Sequence, residues 1–164
     1  MNIGKVPNDI LKKIILDKIK NNRKEVLVRP AIGEDCGVID FGENVCVLSS
    51  DPITGAVNEI GRLAVHVSCN DVASCGVGPL GLIITILAPA GTTEKDLDFV
   101  MNQICDAAYS INVDIIGGHT EITSAVNRFV IISTAVGKML KDKLVTTSGA
   151  QPGDYIVMTK SAGL

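Results

Sequence analysis

The sequence predicts an α/β domain of the α+β kind, and three observations carry the prediction. Apolar runs of strand length recur at 45–51, 80–88, 113–116 and 129–137; two segments between them repeat their apolar residues with helical spacing; and Gly, Pro, Asn and Asp gather at the joints. With 164 residues, 46% of them hydrophobic, and a mean hydropathy of +0.34, the chain can bury a substantial core in one domain. That core must be aliphatic, because there is no Trp and only three Phe and two Tyr.

Taken in order, Pro7 and Asn8 precede Ile10, Leu11, Ile14, Ile15 and Ile19 with lysines between them, which predicts one amphipathic helix ended by Asn21-Asn22. Its lysines read as a solvated face. Val26-Leu27-Val28 forms a short extended segment before Pro30. Gly33-Glu34-Asp35 is a turn leading into the apolar run Cys36 to Asp40; Phe41-Gly42-Glu43-Asn44 reads as a hairpin loop, and Val45 to Asp51 as the returning strand. Thr54 to Gly76 is predicted helical, with Ile60, Leu63, Ala64 and Val67 on one face, and His66 lies off that stripe. Gly76-Val77-Gly78-Pro79 breaks the helix, and Leu80 to Ala88 suits a strand covered on both faces. Thr93 followed by Asp96 marks a helix start, and Leu97, Val100, Met101, Ile104, Cys105 and Ala108 form its core stripe up to Asn112. Val113 to Ile116 returns to the sheet, and Phe129 to Gly137 is a further long strand. Gln151-Pro152-Gly153-Asp154 announces a strand at Tyr155 to Thr159, so the expected division is a domain at 1–150 and the start of a truncated second domain at 151–164.

Composition narrows the function classes. The net charge is −3 and the pI near 5.3, with no Lys or Arg concentration beyond the N-terminal segment, so nucleic acid is not expected as a partner. Few aromatic side chains are available to stack bases. The five cysteines, Cys36, Cys46, Cys69, Cys75 and Cys105, lack zinc-type spacing and read as reduced, mostly buried thiols. No signal peptide and no apolar run of membrane-spanning length is visible, which predicts a cytoplasmic protein that does not enter a membrane.

The chemistry-bearing positions are acids and glycines. If the strands flanking Phe41 to Asn44 pair antiparallel, Asp35 and Asp51 come to the same end of the sheet. Two such acids repel unless a cation lies between them, and Mg²⁺ prefers oxygen ligands; exposed turn aspartates are the competing reading. Projected at 100° per residue, Asp71 falls about 20° from Ile60, on the apolar stripe. A carboxylate aimed at a core must be paired, hydrogen-bonded or metal-bound, unless the helix ends near Asn70 and Asp71 caps the next turn. Ile115-Ile116-Gly117-Gly118-His119-Thr120-Glu121 takes an apolar strand into paired glycines, expected to form a turn where positive φ or a close backbone approach presents N–H groups to phosphate. An ordinary Gly-rich turn is the alternative.

Gly33-Glu34-Asp35, Ser50-Asp51-Pro52, Asn70-Asp71-Val72-Ala73-Ser74-Cys75-Gly76 and Gly117-Gly118-His119-Thr120-Glu121 together resemble the N-terminal domain of the aminoimidazole ribonucleotide (AIR) synthetase, or PurM-like, superfamily. Its branches include hydrogenase-maturation dehydratases of the HypE type, thiamine-monophosphate kinases and selenophosphate synthetases. The resemblance implies a mixed, mostly antiparallel sheet with helices on one face, which dimerises sheet to sheet into a barrel. It implies ATP and Mg²⁺ as cofactors, with Asp35, Asp51 and Asp71 as metal ligands, Asp71 also catalytic, and Asn70, Gly117, Gly118, His119 and Thr120 against the nucleotide. The implied activity is phosphoryl transfer that activates an amide or related acceptor, HypE-like carbamoyl dehydration being the nearest branch on the strength of Leu63-Ala64-Val65-His66. A kinase acting on a small phosphorylated substrate, and a non-catalytic dimerisation or partner-binding module of the same fold, are the alternatives. His119 stands where several members carry an acid, and Glu121 can compensate. Glu34 stands where many members have aspartate.

Overall fold

The structure, a computed structural model, describes residues 1–20, 22–56 and 58–158. Six strands form one sheet in the order β1-β2-β3-β6-β4-β5: β1 (Val26–Val28), β2 (Gly37–Phe41), β3 (Asn44–Ile53), β4 (Pro79–Pro89), β5 (Asp114–Thr123) and β6 (Val130–Leu140). Among the described residues, only β4 and β5 run parallel, joined through a helical crossover, and every other pairing is antiparallel. The expected mixed, mostly antiparallel sheet is therefore present.

The hairpin from β2 to β3 turns at Gly42-Glu43, with Phe41 opposite Asn44. Gly42 takes a φ of +87°, a conformation open to glycine at little steric cost, and its N–H bonds the Asp40 carboxylate at 2.8 Å. Helices α2 (Ile60–Ser74) and α3 (Glu94–Ser110) cover one face of the sheet. Ile60, Ala64, Val65 and Val72 from α2 and Val100 and Ile104 from α3 pack on Val38, Val45, Val47, Leu82, Ile84, Ile86, Ile131 and Ala135. This aliphatic core follows from alternation along β3, β6 and β4 from Leu82 onward, which sends every second residue under the helices. A capping box starts α3: Thr93 Oγ1 accepts from the Asp96 N–H, and the Asp96 carboxylate accepts from the Thr93 N–H. Asn112, at φ +55°, turns the chain out of it.

Several expectations are corrected. The N-terminal helix is α1 (Asn8–Ile14), followed by a 3₁₀ turn at Leu16–Lys18, and none of its residues is buried; without a face to pack on, one long helix gains nothing from amphipathicity. The helix expected from Thr54 starts at Ile60. β4 is covered on one face only: Leu82, Ile84, Ile86 and Ala88 are buried while Ile83 is 43% exposed. β5 runs straight through Gly117-Gly118, so the expected glycine turn does not exist. Residues 155–158 belong to no strand and are exposed; the predicted end of that strand, Thr159, and the helix-ending Asn21 lie outside the described residues. The cysteines are free, as read, but only Cys36 and Cys69 are buried, and Cys105 is exposed.

Candidate functional site

β2 pairs with β3 only as far as Leu48, so from Ser49 onward the β2 side of β3 has no strand neighbour. The Gly33 to Cys36 segment enters β2 at this end and brings Asp35 with it. Ser49 and Asp51 alternate onto the face beneath α2, and the helix returns antiparallel to place Asp71 above them. Because α2 continues to Ser74, the reading in which Asp71 caps a turn after Asn70 is set aside. Asn70 itself is exposed.

The carboxylates are drawn together. Ser49 Oγ donates to Asp71 Oδ2 at 2.8 Å, and the Asp51 carboxyl faces Asp71 closely enough that a hydrogen bond to it, and its negative charge, favour the protonated form of Asp51. The pKa of Asp51 is pushed up to about 6: burial contributes most, then the bond to Asp71, then the negative charges of Asp71 and Asp35, with Lys5 opposing. Burial likewise pushes the Cys36 thiol up to about 12, aided by its contact with the Cys75 thiol and by Asp71 and Asp35. Thus Asp35, Asp51 and Asp71 lie within electrostatic reach of one another.

They do not form a closed cage. Among the described residues no three His, Cys, Asp or Glu side chains stand close enough to hold a metal by themselves. The donor set nevertheless fits Mg²⁺, which takes one or two carboxylates and completes its octahedron with water and substrate phosphate. A second observation agrees: Ser133 Oγ, opposite Asp51 in the β3–β6 register, is buried without a hydrogen-bond partner. Sequence reading missed Ser49, Ser133 and Lys5. For Ser49 a signal existed, since it lies two residues before Asp51 and so on the same strand face.

The glycine pair lies elsewhere on the sheet. Asp51 pairs with Ser133, Ser133 with Ile84 and Ile84 with Gly118, so acid and glycine share one row across three strand spacings, about 14 Å. Gly118 is required by close approach rather than positive φ: a Cβ there would stand 1.9 Å from the Ile84 carbonyl oxygen, whereas one at Gly117 would meet nothing within 4 Å. Thr120 lies beyond Gly118 on the same side of this exposed edge strand. His119 and Glu121 point to the face opposite the helices, where His119 Nε2 and Glu121 Oε2 are 3.0 Å apart.

Among the described residues, no helix covers the outer face of the sheet. Leu48, Ile83, Leu87, Ile132 and Val136 all lie there, part-exposed.

Comparison with known proteins agrees with this architecture. A protein of Methanocaldococcus jannaschii named for hydrogenase expression and formation is 29% identical, over 98% of this chain and 49% of its own length. The carbamoyl dehydratase HypE of Cupriavidus necator is 32% identical, over 64% of this chain and 30% of its own. Among solved structures, a hydrogenase maturation protein HypE in complex with ATP superposes with a TM-score of 0.60 at 22% identity, over 92% of this chain and 45% of that one. The chain therefore spans about half, or less, of the length of these relatives. Residues 33–139 match the family described as AIR synthase related protein, N-terminal domain, and they contain β2 to β5, all of β6 but its last residue, both covering helices and all three aspartates. The chain belongs to that family.

Proposed function

We propose that the chain is the ATP- and Mg²⁺-binding module of an enzyme that activates an amide or related acceptor by phosphoryl transfer, of the HypE-like carbamoyl-dehydrating type in hydrogenase maturation. The observation that carries the reading is the convergence of Asp71, fixed by Ser49, with Asp51 and Asp35, close enough that the neighbouring carboxylates raise the pKa of Asp51. A folded protein that holds like charges together has a built-in demand for a cation. Asp51 and Asp71 would hold Mg²⁺, Asp35 would complete the negative field, and Asn70, Gly117, Gly118, His119 and Thr120 would line the nucleotide's path. The metal supplies neutralisation of charge on the transferring phosphoryl group. Ser49 fixes the Asp71 carboxylate by its hydrogen bond, so that little reorganisation accompanies binding. In this reading residues 1–150 form the nucleotide-binding and dimerisation domain, and 151–164 begin the next.

Two copies would meet through the uncovered sheet face, closing a barrel. Its part-exposed Leu48, Ile83, Leu87, Ile132 and Val136 support that use. The same face, together with the absence of a three-ligand metal cluster among the described residues, favours the second reading, a dimerisation module without chemistry.

Calorimetric titration of the full-length protein with ATP and MgCl₂ separates the two. The first reading expects binding that Asp71→Asn weakens at least about tenfold, the loss of one charged ligand contact. A stable dimer that binds no nucleotide, or equal affinity in wild type and Asp71→Asn, rejects it.

A further inference from the structure

Among the described residues three polar side chains are buried, Ser49, Ser68 and Ser133, and all three gather where α2 crosses β3 and β6. Two of them are satisfied. Ser49 Oγ donates to Asp71 Oδ2 at 2.8 Å, and Ser68 Oγ donates to the Ser133 carbonyl oxygen at 2.9 Å. The Ser133 hydroxyl is fully buried and has no partner. A buried hydroxyl left unpaired is costly, whereas an alanine in its place is close to neutral or stabilising. The sheet register fixes what surrounds it. On its own strand the neighbours beneath the helices are Ile131 and Ala135; directly across on β4 stands Ile84, and directly across on β3 stands Asp51. Opposed residues on paired strands hold their Cβ atoms about 5 Å apart, so of these four neighbours only Asp51 offers the hydroxyl a polar group.

We propose that Ser133 is a positioning residue for the cation site, its hydroxyl donating to the Asp51 carboxylate when the divalent ion is bound. The inference rests on the reading of Asp51 as a Mg²⁺ ligand given above. A carboxylate that holds a metal is an acceptor with no hydrogen of its own to give, and serine supplies one donor to it from the β6 side. A partner of this kind fixes the orientation of a ligating group, and its loss weakens metal binding by about tenfold or more. Ser49 already does this for Asp71, so each of the two acids has its own serine, one on β3 and one on β6. Without metal the unpaired hydroxyl is a cost to the fold, and loading the site removes that cost. Stability of the empty protein and affinity for the ion therefore respond to this one oxygen with opposite signs.

The test needs no turnover. The full-length protein is titrated with MnCl₂, whose ion takes oxygen ligands as Mg²⁺ does, and free Mn²⁺ is followed by electron paramagnetic resonance. Thermal unfolding in chelator is measured alongside by circular dichroism. Ser133→Ala is expected to bind Mn²⁺ about tenfold or more weakly than wild type while melting at or above the wild-type temperature in chelator. Ser68→Ala removes a satisfied bond from the same patch and gives the pattern of a structural hydroxyl: a melting temperature lowered by about 2 °C, with Mn²⁺ affinity within about twofold of wild type. Equal Mn²⁺ affinity in wild type and Ser133→Ala overturns this inference and leaves the cation reading standing, whereas a wild-type protein that takes up no Mn²⁺ overturns both. A Ser133→Ala protein that melts lower in chelator, or does not fold, marks the hydroxyl as structural and likewise overturns the proposal.

Discussion

Asp71→Asn should make the metal-free protein more stable at neutral pH while removing a proposed metal ligand. Asp51 has a pKa of about 6 in the fold against an ordinary value of 3.8, so the folded chain binds that proton more tightly than the unfolded chain does. Stability is therefore greatest below the unfolded value and is lost as pH rises from about 4 through about 6, where the folded state must give up its proton. At 1.36 kcal/mol per unit the shift sets a ceiling of about 3 kcal/mol. Burial is the largest cause and survives the substitution, and solvent screens the remainder, which leaves about 1 kcal/mol attributable to Asp71. For a domain of this size that is about 2–4 °C in melting temperature. Asparagine keeps an oxygen to accept from Ser49, so packing is preserved. The assay is thermal unfolding followed by circular dichroism in chelator, at pH 4.5 and pH 7.5. The expected result is a gain at pH 7.5 and almost none at pH 4.5, where Asp51 is already protonated. Equal changes at the two pH values, or a loss at pH 7.5, would refute the electrostatic account.

Other substitutions probe the frame. Gly118→Ala drives a methyl into the Ile84 carbonyl oxygen and should cost about 2–3 kcal/mol in urea unfolding, whereas Gly117→Ala should stay within about 0.5 kcal/mol of wild type. Gln103→Ala removes two contacts that bind α3 to the start of α2, the bond from the Gly61 N–H at 3.0 Å and that to the Asn58 carbonyl oxygen at 2.9 Å; a loss of about 1–2 kcal/mol is expected in the same assay. Ile132→Asp places a charge on the uncovered sheet face, and analytical ultracentrifugation should show the proposed dimer converted to monomer without loss of helix signal.

Holding Asp51 and Asp71 together costs folding free energy in the absence of a cation, and the same arrangement is what a cation would reward. The backbone around the pair is suited to hold it. Ser49 and Asp51 sit on a ten-residue strand paired along its whole length to β6, and Asp71 sits within a fifteen-residue helix rather than on a loop.

Much of this fold could be read from the residues because its signals are local. The Phe41 to Asn44 hairpin, the Thr93 and Asp96 cap and the α3 stripe each depend on neighbours within a few positions, and each forms where periodicity placed it. Asp71 was legible for the same reason, as an acid out of place on an apolar helical stripe. Other features depended on which surfaces meet. An unbroken apolar run such as Leu80 to Ala88 does not reveal whether one or both faces of its strand are covered, and here only one is. Paired glycines signal backbone freedom without saying what uses it, and at Gly118 the reason is the Ile84 backbone on the neighbouring strand.

The sequence alone determined most of the elements, the aliphatic core and the candidacy of its acids, since propensity, period and the cost of a misplaced charge are properties of short stretches. Tertiary structure decided that Asp71, bonded by Ser49, comes beside Asp51, and that the glycines lie three strands away. Those facts arise from strand order and helix return path, which bring together positions tens of residues apart, and no local pattern encodes that distance.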